Sequence, residues 1–375
     1  MPDQEGEERE AIVDGDQLFD LVEQYHRLGD HRAGSDADAA TCAWYTRELV
    51  ERGLRVRHEP VAFDRYVFHS ELTAGGEALP HIPLFYEWTG SIDTTNVGVV
   101  AADANAGGRD DDLRDALDAT RDALVIATKH PAGSLVAVNR TPIDHRGTPT
   151  VLIAGRDFDR ARSASDLRLR LAASLQPTST SNLIATNAAA DHQPPLLLTT
   201  PLTGWFGCAG ERGTGAAILL ELVERCADLP LLVLATGGHE LDYHGVRAWV
   251  GKNPAPPRAI VHVGASVAVD AETQAGERAL IRERLAMTNA NPAAIDAIGT
   301  ALEPAGFGYR PGTERWLGES EVFCELDVAM LSFTGSGIDF HTPEDTPSRA
   351  TSPPALAVVA DAIADAVDAL WLSTH

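Results

Sequence analysis

Lysine is almost missing from this chain. Lys129 and Lys252 are the only two in 375 residues, and the other basic residues are arginine. The preference reads as coding composition, but it excludes a phosphate-binding loop, which needs a lysine beside its glycines. Positive charge is scarce altogether: 30 basic residues face 55 acidic ones, for a net charge of −25. Such a surface repels nucleic-acid backbones and anionic membranes, so neither is an expected partner, and the charge serves solubility. Cysteine is equally sparse. Cys42, Cys208, Cys226 and Cys324 form no Cys-x-x-Cys pair and no zinc-finger spacing, which fits reduced thiols rather than a disulfide framework. The start, Met1-Pro2-Asp3-Gln4-Glu5-Gly6-Glu7-Glu8, is acidic with no apolar core, so a signal peptide is not expected. No run approaches the ~20 apolar residues of a membrane span. A soluble, cytoplasmic protein is the expectation.

Apolar residues make up 44% of the chain, enough for a large core. Leu18, Phe19, Leu21, Val22 and Tyr25 repeat at helical spacing, as do Ala40, Trp44, Tyr45, Leu49 and Val50. Between them lies the turn His31-Arg32-Ala33-Gly34-Ser35, and a strand-like run, Leu54–Val61, follows. Residues 62–180 change texture, with short β-like runs at 97–100, 123–127, 150–155 and 167–171 separated by turn residues. From Ser181 onward, continuous apolar runs at 183–185, 196–198, 231–235 and 259–263 suit strands covered on both faces. Helical patterns at 215–226 and 354–372 alternate with them. This order predicts an α/β fold: a three-layer α/β/α sandwich with a mostly parallel mixed sheet, plus a small β-rich inserted domain. The expected division is 1–61 with 181–375, interrupted by 62–180.

Three loops follow or flank apolar strands: Gly210-Glu211-Arg212-Gly213-Thr214-Gly215, Gly237-Gly238-His239-Glu240-Leu241, and Phe340-His341-Thr342-Pro343-Glu344-Asp345. Loops at the carboxyl ends of such strands are the usual ligand sites. Together with the opening helix–turn–helix–strand order, they resemble the zinc aminopeptidases of the bacterial leucyl aminopeptidase type and the related glutaminyl cyclases. The 62–180 region resembles the protease-associated insert of many of these enzymes. The resemblance implies Glu211 at the position of a carboxylate that bridges two zinc ions. It implies Glu240 and His341 at two further ligand positions, and His239 in place of the general base. The remaining ligand positions fall on Pro201, Thr203 and Gly264, so at most one zinc ion is implied, held by Glu211, Glu240 and His341. Two carboxylates and an imidazole would leave a fourth position for water.

Arg212 stands directly after Glu211, and two readings of it remain open. It holds an anionic substrate group or an oxyanion, or it neutralises Glu211 and Glu240 in a buried cluster and displaces the metal. His239 is a general acid or base, or a loop histidine bonded to backbone. Trp205 and Phe206 line a substrate pocket or belong to the core. Asp339 orients His341 or is solvated, and His262 is a core or a site residue. His244 comes five residues after His239, so the pair is not a zincin motif and His244 reads as a surface or capping residue. A pairing of Ser336 with His239 or His341 is the weakest chemistry. The catalytic candidates are therefore His239, Glu240 and Arg212, with Trp205 and Arg212 for substrate. The first expected function is a divergent peptidase-like hydrolase acting on an amide or related bond. The alternatives are a metal-free acid–base enzyme using His239, Glu240 and Arg212, or a non-catalytic binding protein. The partner is a small molecule or peptide, and the insert either shapes the pocket or makes a homodimer.

Overall fold

The computed structural model describes residues 13–103, 121–139, 147–252, 254–273 and 276–374. The acidic start read above and parts of the 62–180 region lie outside the described residues. Four parallel strands form the centre of a ten-stranded sheet: Ala329–Gly335, Ala259–Val263, Leu196–Pro201 and Leu231–Thr236, in that spatial order. Their runs are mostly apolar and largely buried because both faces are covered. Leu196, Leu198, Val233, Val261 and Phe333 pack in the larger core, under the helices Gly15–Arg27, Thr214–Arg225 and Pro353–Ser373. The intervening Leu197, Leu234, Ile260 and Met330 face a second, smaller core, with Trp249 and Phe323. This is the expected α/β/α sandwich with a mixed, mostly parallel centre.

On one side Arg284–Thr288 runs antiparallel to Ala329–Gly335. On the other, Arg168–Thr186 runs antiparallel to Leu231–Thr236 and pairs with Arg55–Ala74 from Arg55↔Thr186 to Thr73↔Arg168. These two long strands leave the main sheet and carry a four-stranded sheet made of His81–Pro83, Thr150–Ala154, Ala123–Thr128 and Val97–Ala102. The last three are parallel. Residues 61–62 and 180–181, where the sequence suggested a change of domain, lie inside the two continuous strands. Among the described residues, no helix is long and apolar enough to cross a membrane.

Candidate active site

The loops at the carboxyl ends of the central strands meet in one place. After Leu196–Pro201, the chain passes through Phe206 and Cys208, both at positive φ, into a single π-helical turn, Ala209–Gly213. Such turns widen a helix locally and recur at functional sites. Here Glu211 and Arg212 both become buried, each 1% exposed. Asp345 fastens the turn, accepting from the N–H groups of Gly210 (2.7 Å) and Glu211 (3.0 Å). That ties the Glu211 loop to the His341 loop.

His341 sits at φ +60. Its Nδ1 lies 3.1 Å from the carbonyl of Ala137, and its Nε2 lies 3.2 Å from Glu211 Oε1. The Arg212 guanidinium Nη2 lies 2.8 Å from the same Glu211 oxygen, as an ion pair off the line of a hydrogen bond. Arg212 Nε donates to the Thr203 carbonyl at 2.9 Å. Burial would push the Glu211 carboxyl up, but His341 and Arg212 outweigh it and hold the group at about 2. Glu211 is thus a carboxylate whose counter-charge comes from within the protein.

Glu240 takes a different course from the one its motif implied. Its Oε1 accepts from the Ala33 N–H at 2.6 Å, and its Oε2 accepts from the Thr203 hydroxyl at 2.8 Å. The Thr203 hydroxyl in turn accepts from the N–H groups of Gly238 (2.8 Å) and His239 (3.0 Å). Glu240 therefore pins the His31–Ser35 turn to the Thr203 and Gly238 loops. Burial pushes its carboxyl up to about 7, against the hydrogen bond from Ala33.

The expected set of Glu211, Glu240 and His341 does not assemble as a metal site. Among the described residues, no group of three or more His, Cys, Asp or Glu is placed to hold a metal ion. Three observations give the physical reason. Arg212 already sets a fixed cation against Glu211. Both Glu240 oxygens are engaged by Ala33 and Thr203. At Gly264, where the resemblance would put a further ligand, a Cβ would meet the Phe333 carbonyl at 2.6 Å, so no side chain fits. These residues do not fit a zinc ion.

His239 belongs to a different pair. Its Nδ1 lies 3.2 Å from Oε1 of Glu319, a fully buried carboxylate that also accepts from the Thr236 hydroxyl at 2.9 and 2.8 Å. Burial, and then the charge of Arg212, push the His239 imidazole well below the usual histidine range. The ring is neutral; burial raises the Glu319 carboxyl above its usual range, and against its ionised form the ring gives Nδ1–H and keeps Nε2 as an acceptor. Both His239 and His341 line a cavity of about 170 Å³ together with His262, Tyr243, Asn139, Leu317 and Phe340. His262 thus lines the candidate site. Burial lowers its imidazole to about 4, and its Nδ1 has no hydrogen-bond partner.

The other candidates scatter. Trp205 is core: it is 4% exposed, packs on Phe85 at 4.9 Å and donates to Asn139 Oδ1 at 2.6 Å. Neither Arg212, Glu240 nor Trp205 lines the cavity holding His239. Asp339 does not orient His341; it takes two hydrogen bonds from Arg349, at 3.0 and 2.8 Å. His244 opens the helix His244–Val250 and reaches the Ala62 carbonyl at 3.0 Å. Ser336 lines a neighbouring cavity of about 640 Å³, which Glu211 and Asp345 also line. Sequence reasoning missed Glu319, which stands in no motif, and Asn139, which comes from the 62–180 region.

No protein-family model matches this sequence, and neither does any curated protein. Solved structures do match in shape. A zinc aminopeptidase from Bacillus subtilis is 16% identical, with a TM-score of 0.72 over 95% of each chain. An aminopeptidase from Aneurinibacillus sp. is also 16% identical, with a TM-score of 0.62 over 96% of this chain and 94% of that one. A glutaminyl cyclase from Fimbriiglobus ruber is 11% identical, with a TM-score of 0.51 over 98% and 99%. The chain has the zinc-peptidase-like fold that the three loops and the strand order suggested.

Proposed function

We propose that this chain is a hydrolase of the peptidase-like class that acts on an amide or related bond by metal-free proton transfer. The observation that carries the reading is the Glu319–His239 pair, with a neutral imidazole facing a small cavity. Glu319 holds the ring in one tautomer, as a buried carboxylate does for a catalytic histidine. His239 Nε2 takes a proton from water as the water attacks the carbonyl carbon. The Tyr243 hydroxyl and the Asn139 amide are the donors in the same cavity available to the carbonyl oxygen. The imidazolium then returns its proton to the leaving nitrogen. The shared fold with known aminopeptidases supports the hydrolase class. Arg212 supports the metal-free route, since its guanidinium already neutralises Glu211. In this reading Arg212 and Glu240 stabilise the loops and do not touch the substrate.

The test is hydrolysis of a panel of aminoacyl, N-acyl and peptidyl amides, followed by mass spectrometry with and without excess chelator. Activity is expected to survive chelation and to fall about 100-fold or more in His239→Ala, the usual worth of a general base. Glu319→Gln is expected to lower kcat with little change in KM. Activity that vanishes with chelator and returns with zinc would overturn the metal-free route.

A further inference from the structure

We infer that the cavity beside His239 receives an uncharged polar group, a carboxamide or a similar neutral amide, and rejects an ammonium or a carboxylate end. The inference deepens the function proposed above and rests on that reading for the identity of the site. The chain has 55 acidic and 30 basic residues, yet among the described residues no Asp, Glu, Lys or Arg lines this cavity. The charges of Arg212 and Glu211 that act on His239 stand outside this lining. Glu319 is taken by Thr236 and His239, and Glu211 by His341 and Arg212. An ammonium group brought here would meet no carboxylate among the described wall residues, and a carboxylate no arginine or lysine. Burying either ion without a partner is costly.

A neutral amide meets the reverse situation. Asn139 has its carbonyl oxygen committed to the Trp205 N–H, so its two amide N–H groups are the part available to a ligand oxygen. His239 commits Nδ1 to Glu319, so Nε2 is the acceptor available to a ligand N–H. Donors on Asn139 and Tyr243 and an acceptor on His239 complement the C=O and N–H of one amide. Leu317, Phe340 and Ala265 supply the apolar remainder of the wall. The volume, about 170 Å³, admits a group of roughly amino-acid size.

The test uses three small molecules of nearly one shape: isobutyramide, alaninamide and isobutyrate. Their binding to the full chain is measured by saturation-transfer NMR and by the imidazole ¹⁵N shifts of His239 and His262. The measurement is made at about pH 6, where alaninamide carries its charge. Isobutyramide is expected to bind at least ~10-fold more tightly than either ion and to move both imidazole signals, since a site built for a neutral hydrogen-bonding group leaves an ion unpaired. Equal or tighter binding of either ion at those histidines overturns the inference, as does no binding by any of the three. Asn139→Asp adds a carboxylate to the wall at nearly constant size and is expected to shift the preference toward alaninamide; an unchanged order counts against the inference. Failure here is separable from failure of the proposed function. Binding is read without turnover, and the His239→Ala hydrolysis assay is read without regard to the charge preference.

Discussion

Arg212 is the residue on which the site's electrostatics turn. It is fully buried, beside a buried carboxylate that has His341 as its other close neighbour. Removing one partner of such a pair leaves the other charge uncompensated, which is worse than never having buried it. Arg212→Met should therefore destabilise the protein by about 3–5 kcal/mol in denaturant unfolding. Glu211→Gln in the same background should recover part of that loss, and a double-mutant cycle measures the coupling. Strictly additive single losses would mean the pair is not coupled. The charges of Glu211 and Arg212 were legible from their motif, and so was the choice between a metal and a salt bridge. The direction of each side chain was not, because it depends on the π-helical turn and on Asp345, some 130 residues further on.

At the scale of elements, the strand ends decide what chemistry can be present. Gly264 follows Ala259–Val263, and a Cβ there would sit 2.6 Å from the Phe333 carbonyl and 3.2 Å from His262 Nε2. The adjacent strand is backbone and cannot move aside cheaply, whereas the His262 ring can shift. Gly264→Ala is expected to cost about 1–3 kcal/mol, the usual cost of overpacking, and to perturb the His262 ring signal. A variant as stable as the parent, with an unmoved His262 signal, would contradict this packing. The apolar strands themselves were plain in the sequence, since alternate residues fill two different cores. His262 was ambiguous there for the same reason. A histidine in an apolar run reads as core until the third dimension brings a cavity to its ring.

For the whole molecule, buried carboxyls and buried histidines pull the response to pH in opposite directions. Glu240 and Asp345 are both pushed by burial to about 7, against hydrogen bonds from Ala33 and from Gly210 and Glu211. In the unfolded chain they ionise near pH 4. Between those values the folded state binds more protons than the unfolded one, so stability falls as pH rises. Glu211 works in the opposite sense. Its folded value of about 2 lies below the unfolded one, so its contribution is present above about pH 4 and is lost as pH falls toward 2. The net charge of −25 adds self-repulsion at higher pH, in the same direction as Glu240 and Asp345. The buried imidazoles of His239 and His262, both held below the usual histidine range, act in the opposite sense, losing stability as pH falls below about 6.5. The contribution of Glu240 is therefore read as a difference: the parent's thermal-midpoint advantage over Glu240→Gln should shrink between about pH 5 and about pH 8. An advantage that stays constant or grows with pH would refute the assignment.

Apolar runs, helical spacing and three loop motifs were enough to determine the sandwich and the meeting of Glu211 with His341, because these depend on local pattern and on strand order. Only the tertiary structure decided that Glu240 turns to Ala33 and Thr203, and that His239 pairs with Glu319 beside a cavity whose described walls carry no Asp, Glu, Lys or Arg. Those outcomes rest on which hydrogen-bond partner a buried group finds first. That partner comes from a distant stretch of chain that no spacing in the sequence announces.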